Sequence, residues 1–282
     1  MGSVTATADR STIRNFTEPL ALIGTIVASG FRRFATYKQA TIAGFSTNIM
    51  FGFLRTYVLL AVAGGTAVAG YSGSQLLTYV WTGQGLLGVV MLWGWTDLSD
   101  RIRSGDIVTD LLRPIHPVVN YLAADVGRAG YAIIFRFFPP LVVGAILFDL
   151  YWPAEAITYP LFVISVMLAI IVCFGCRYLI NAAAYWLLDI RGVNQVWLFM
   201  SGLMSGLYFP IRFLPDWAAA LLWFGTPGPS FLQAPMDILV ERDALPIRLG
   251  MIGVQVLWAA LLLWLCYVVQ RRAERKLVIQ GG

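Results

Sequence analysis

TDLSDRIRSGDIVTDLLRPIHPVVNYLAADVGR, residues 96–128, is a charged island between two strongly apolar stretches. It holds five of the chain's 15 acidic residues and four of its 20 basic ones. The rest of the 282-residue chain explains why that matters. The protein is 59% hydrophobic and only 12% charged, with a mean hydropathy of +0.73. Water-soluble domains carry about 25% charged residues. A chain with so few charges cannot cover itself in water, so it reads as an all-α protein whose main solvent is lipid. The island is then the place where a membrane bundle takes hold of something outside the bilayer.

Outward from the island, six apolar stretches read as spans: about residues 41–69, 75–95, 130–148, 157–188, 193–211 and 247–270. A crossing helix needs about 20 residues. Gly64, Gly65 and Gly70 near the end of the first allow a close contact or a turn. Pro139-Pro140 removes two backbone donors and predicts a kink in the third. The apolar run Leu20–Gly30 is too short to cross. With Arg32 and Arg33 behind it, it reads as an interfacial amphipathic helix within residues 1–40. Those arginines and Lys38 also argue against a cleaved signal peptide. Residues 212–246 hold two apolar pieces, 217–224 and 231–240, split by Thr226-Pro-Gly-Pro229. Each is too short to cross, which predicts a broken, re-entrant or interfacial external hairpin before the last span. The six-span body is residues 41–276, followed by a tail, 277–282.

Fourteen of the 20 basic residues fall in the tails and in the turns after spans two and four, while three, Arg212, Arg242 and Arg248, fall on the opposite side. Short loops rich in Lys and Arg stay cytoplasmic. Both termini and the island therefore read as cytoplasmic, and an even number of spans agrees.

Arg55, Arg136 and Arg177 lie inside apolar runs, where a charge costs at least about 2.5 kcal/mol at the bilayer centre. Either they snorkel to the interface, or they line a path that meets anionic substrate groups or lipid headgroups. Gly202-Leu-Met-Ser-Gly206 is a G-x-x-x-G suited to close helix packing, within the chain or across a subunit interface. Cys173 and Cys176 share a helical face. With three Cys and one His, His116, metal and triad chemistry are short of parts. These read as small buried thiols and a loop histidine, and neither a catalytic set nor a metal site is expected. No G-x-x-x-x-G-K-[ST] occurs, so nucleotide is not bound through a Walker A loop. The acidic residues read as lying in loops and at span ends, which favours energy from another subunit over an ion-driven carrier. A stand-alone carrier or channel and an intramembrane lipid-modifying enzyme are the other readings.

Within the island, Asp97–Arg103 reads as a short helix with Leu98 and Ile102 on one side. Ser104-Gly105-Asp106 reads as a turn, and Ile107–Leu112 as a second helical piece stopped by Pro114. Ile102, Ile107, Leu111 and Leu112 among the charges suit a short helix at the membrane surface whose charged face docks on a soluble partner. The order Ile102-Arg-Ser-Gly-Asp-Ile107, then Asp110-Leu-Leu-Arg-Pro114, resembles the first cytoplasmic loop of permease subunits of bacterial type-two, exporter-type ABC transporters. The basic N-terminal helix, the broken external hairpin and the basic C-terminal tail extend that resemblance over nearly the whole chain. It implies a pair of permeases, identical or related, in a bacterial plasma membrane with two cytoplasmic ATPase subunits. ATP and Mg would sit on those partners, with no cofactor on this chain and no nucleic-acid partner. It also implies that the loop supplies the helix that couples to the ATPase. In this sequence that role falls to Asp97, Asp100, Arg101, Ile102, Arg103, Gly105, Asp106, Asp110, Leu111, Leu112, Arg113 and Pro114. The transported substrate is not legible in these residues.

Overall fold

The computed structural model describes residues 9–63, 69–187 and 189–280. Gly64 and Gly65 lie outside them, and the expected tail is described only to Gln280, as the end of the last helix. The regular elements are helical. They are α1 (Asp9–Ala35), α2 (Lys38–Ala63), α3 (Gly73–Val90), α4 (Asp97–Ser104), α5 (Ile107–Leu111) and α6 (Pro117–Ala132). A π-helical turn (Ile133–Phe137) joins α6 to α7 (Phe138–Leu147). Then come α8 (Thr158–Ala182), α9 (Arg191–Met204), α10 (Asp216–Gly225), α11 (Gln233–Leu239) and α12 (Leu245–Gln280).

Among the described residues, four helices are long and apolar enough to cross a membrane: Lys38–Val62, Pro117–Leu147, Thr158–Tyr185 and Leu245–Lys276. The expected second and fifth spans correspond to α3 and α9, which are not among the four. α3 is the central helix, with 12 of its 18 residues buried. Thr78, Thr82 and Gln84 are among them, and a helix surrounded by protein rather than lipid tolerates such residues. Its start is set by a capping box, Ser72 Oγ accepting from Gln75 N–H while Gln75 Oε1 accepts from Ser72 N–H.

The third span departs most from expectation. It begins at Pro117 rather than about residue 130, so the last third of the island is helix inside the bundle. Pro117 occupies the first turn, where its missing N–H costs nothing, and His116 Nδ1 accepts the Val118 N–H (3.3 Å). The expected break at Pro139-Pro140 takes the form of the π turn just before it, which absorbs the carbonyls the prolines cannot serve. In the fourth span, α8 ends at Ala182 and passes into a single 3₁₀ turn, Ala183–Tyr185, short of the expected 188.

α8 and α12 run parallel, as the nearly constant register of the Thr158–Arg248, Ser165–Gln255 and Tyr178–Gln270 contacts requires. Their 25 shared residues separate two ends of the bundle by about 37 Å at 1.5 Å per residue. One end carries the 212–246 hairpin, where Glu241 meets Thr158. The other carries α4, where Asn181 Oδ1 accepts the Ser99 N–H. Trp81 of α3 is fully buried against Gly52 of α2 and Gly144 of α7. Glycine at both positions lets three helices close on one indole.

α1 crosses α6 with equal intimacy. A Cβ at Gly127 would stand 1.9 Å from the Val27 carbonyl oxygen, and one at Gly30 would stand 2.2 Å from that of Ala124. Backbone cannot yield at such distances, so Gly127→Val should drive α1 off the bundle. Overpacking costs about 1–3 kcal/mol even where side chains can give. Limited proteolysis after Arg33 should then cut a site protected in the parent. Gly253→Ala, with nothing within 4 Å of the added Cβ, should cut like the parent.

Candidate functional site

The island folds into an elbow of two short helices joined by Gly105, whose φ of +83° is a left-handed conformation that glycine adopts freely. Its inner face is keyed into the bundle. Leu98 and Ile107 are buried with Val118, Phe174, Tyr178, Ala182 and Cys266. Its hinge is clamped by Asp110, 3% exposed, which accepts from Arg101 Nε (2.6 Å) and Tyr121 Oη (2.8 Å) and lies 3.5 Å from Arg113. Arg101 also donates to the Asp106 carbonyl and the Thr109 hydroxyl. Arg33 of α1 ties the base of α4 through a 2.6 Å pair with Asp97. Burial and charge thus hold the elbow rigid from inside.

The outer face is different. Arg103, Gly105, Asp106, Arg113 and Pro114 are exposed. With them stand two exposed aliphatic side chains, Val108 (53%) and Leu112 (82%). Of the four apolar island residues expected on the membrane-surface side of a short helix, Ile107 is buried in the bundle, Ile102 and Leu111 are half-buried, and Leu112 points out, so the outer face is not charged alone. Helical phase is the reason: in a piece as short as α5 the inward stripe is used up by Ile107 and Asp110.

The arginines inside apolar runs fall into three different settings. Arg177 is 2% exposed and reaches no interface. Its NH2 group donates to Asp125 (2.7 Å), and its guanidinium lies 5.6 Å from the Trp95 ring centroid. Asp125 also accepts from Arg128 Nε (2.6 Å), and Arg128 donates on to the Gly88 and Val89 carbonyls that end α3. Asp125 was read as an island loop acid. Because α6 starts at Pro117, it is a buried acid inside a long apolar helix. Arg55 is half-buried, donating to the Leu207 carbonyl (2.7 Å) beside the Tyr208 ring. Arg136, thrown out by the π turn, lies along Gly44 and Gly88 and donates to the Ala40 carbonyl (3.3 Å).

Gly202 and Gly206 do not share a helical face, since α9 ends at Met204 and Gly206 has a φ of +77°. Both are met by this chain's own side chains, Gly202 by Tyr208 and Gly206 by Gln233 and Tyr79. The cysteines are buried free thiols. His116 caps α6 and stacks on Tyr267, ring centroids 4.3 Å apart.

The hairpin end holds polar groups that the sequence reading passed over. Gln233 and Asp237 of α11 are fully buried. Tyr71 Oη donates to Asp237 (2.5 Å), and Gln233 Oε1 accepts from Tyr79 Oη (2.6 Å) and the Ile211 N–H (2.9 Å). The signal was an acid and an amide inside the otherwise apolar run 231–240. Nearby, Glu241 accepts from Tyr151 Oη (2.5 Å), Thr158 Oγ1 (2.5 Å) and the backbone N–H groups of Ala154 and Glu155 (2.9 Å each). Buried Arg248 donates to Thr158 and pairs with Glu155. Burial alone would raise the Glu241 carboxyl, but these hydrogen bonds outweigh it and hold it at about 2. A carboxyl depressed on folding stabilises fully above its ordinary value of 4.5 and loses that stabilisation as pH falls through its folded value. Thermal stability should therefore be flat from pH 8 to 5 and fall towards pH 2. Glu241→Gln should cost about 1–3 kcal/mol at neutral pH by stranding a buried donor. Differential scanning fluorimetry across pH should also show its acid decline reduced.

The chain matches the model of the ABC-2 family transporter proteins over residues 47–281. It belongs to that family. It is a membrane-embedded permease subunit, a transport component of an ABC transporter, and the family implies an ABC ATPase as its partner. Among curated proteins, none matches the chain.

Proposed function

We propose that this chain is half of the translocation pathway of an ATP-driven exporter, and that the elbow from Asp97 to Pro114 is the element on which a separate cytoplasmic ATPase acts. The observation that carries the reading is the pairing of Val108 and Leu112, exposed between Arg103, Asp106 and Arg113, with a rigid inner face. A projecting apolar tip rimmed by charges suits a cleft on a soluble partner, where buried aliphatic anchors supply affinity and rim charges supply register. Movement transmitted to α4 passes directly to α8 through the Ser99–Asn181 hydrogen bond and the Leu98 packing.

In this reading α3 and α9 with its continuation to Ile211 complete a six-span topology. α1 lies at the cytoplasmic interface and both termini are cytoplasmic. α10 and α11 form an external, partly re-entrant hairpin, and the membrane is the bacterial plasma membrane. Two such permeases, identical or related, enclose the path, and two ATPase subunits bind ATP and Mg and switch the pair between inward- and outward-facing states. The chain itself carries out no catalysis. The test is to isolate the tagged chain from its native membrane, identify what accompanies it, and reconstitute transport. A co-purifying ATPase with ATP-dependent export supports the reading. Transport by the purified chain alone under an ion gradient sinks it.

A further inference from the structure

A cavity of about 100 Å³ opens where α9 crosses the turn between α3 and α4 and the last turns of α8. Its polar lining is Arg177, Asn181, Asn194 and Gln195, with Trp93 and Trp95 as aromatic walls, and among the described residues no acidic side chain lines it. We propose that this cavity is a binding site for a phosphate-type oxyanion, free or carried on a lipid headgroup.

The charge balance points that way. Asp125 is a single carboxylate shared by two buried arginines, which leaves one positive charge over. Arg128 is compensated further, since it donates to two carbonyls at the C-terminal end of α3, where the helix dipole is negative. Arg177 is compensated less. Beyond Asp125 it lies against the Trp95 ring, its Nε is buried and has no hydrogen-bond partner among the described residues, and its neighbour one turn back on α8 is the Cys173 thiol, a weak partner. A buried cation with an unused donor is costly unless a counter-charge reaches it. The planar guanidinium suits the oxygens of a phosphate.

The size is right as well. About 10–15 Å³ of such space admits one water, so this cavity takes a polyatomic group. The amides of Asn194, half-buried, and Gln195, exposed, stand at its open side and offer further donors. Asn181 is already committed, its amide bridging the Trp95 and Arg177 carbonyls, so it forms wall rather than ligand. The inference stands on the cavity and its charge alone and does not depend on the exporter reading.

The experiment uses the purified full chain in an uncharged detergent. One arm titrates inorganic phosphate against chloride at equal ionic strength and follows Tm. The other counts phospholipids retained by the chain in native mass spectrometry. Arg177→Gln removes the guanidinium, and Asn194→Phe fills the cavity from its rim while leaving the Asp125 cluster intact. Phosphate should raise the parental Tm by several degrees where chloride does not, identifying the free anion, or one phospholipid per chain should survive delipidation, identifying the headgroup. In either arm Asn194→Phe should weaken binding at least tenfold with the ligand-free Tm unchanged, and Arg177→Gln should abolish it. If phosphate acts no better than chloride and Asn194→Phe retains as much lipid as the parent, the proposal fails.

Discussion

Leu112→Asp is expected to abolish most ATP-dependent transport while leaving the permease inserted, folded and as abundant as the parent. The side chain is 82% exposed, so its loss removes no packing within the chain. Exposed substitutions of this kind usually stay within about 0.5 kcal/mol of neutral. In an ATPase cleft the same side chain would be a buried anchor. Replacing an anchor by a charge forfeits about 2 kcal/mol or more of binding, about a 30-fold loss of affinity at 1.4 kcal/mol per decade. Arg103→Glu and Arg113→Glu, on the rim, should weaken the complex less and mainly at low salt. Gly105→Pro acts by another route. Proline holds φ near −65°, whereas the elbow needs +83° at this position, so α4 and α5 can no longer fold back on each other. Affinity for the ATPase, measured with detergent-purified components, should fall in step with transport in proteoliposomes. Parental transport by Leu112→Asp would mean that the ATPase docks elsewhere.

That experiment separates two kinds of island residue that look alike in sequence. Asp110 and Arg101 are as charged as Asp106 and Arg103. Yet the first pair is an internal clamp and the second faces out. The helix–turn–helix order of 97–112 was readable because Gly105, Pro114 and the spacing of Leu98, Ile102 and Ile107 are local signals. Which charges face inward depends on Tyr121 and on α8, far away in sequence. The same distinction explains the reading of the spans. α2, α8 and α12 announce themselves because their lipid-facing sides are apolar. α3 is equally legible as an apolar run. What is not legible is that protein rather than lipid surrounds it, which is what lets it carry Thr78, Thr82 and Gln84. Asp125 was misplaced for a related reason. Charges at residues 125 and 128 read as loop, because nothing local says that Arg177, 52 residues on, neutralises the acid. Arg177 stands out in the sequence as a charge inside an apolar run, but its partner lies outside any sequence window.

Asp125→Ala is expected to be the most damaging single substitution in the chain. The carboxylate accepts from Arg128 and Arg177, and all three side chains are at most 4% exposed. Removing it leaves two guanidiniums buried and mutually repulsive, and breaking a buried pair from one side costs about 3–5 kcal/mol. Little of the variant should be recoverable from membranes as monodisperse protein, and what remains should lose Tm steeply. The triple change Asp125→Leu, Arg128→Met, Arg177→Met removes every buried charge together, and such apolar replacements are often neutral or better. It should recover much of the loss. Recovery should stop short of the parent, because Arg128 also serves the Gly88 and Val89 carbonyls and methionine cannot. The triple variant should also show no phosphate response, since it lacks the arginine that lines the cavity. Stability and anion binding would then part company at one cluster. A merely structural ion pair predicts no phosphate response in the parent either, whereas a binding arginine predicts its loss in a protein that still folds.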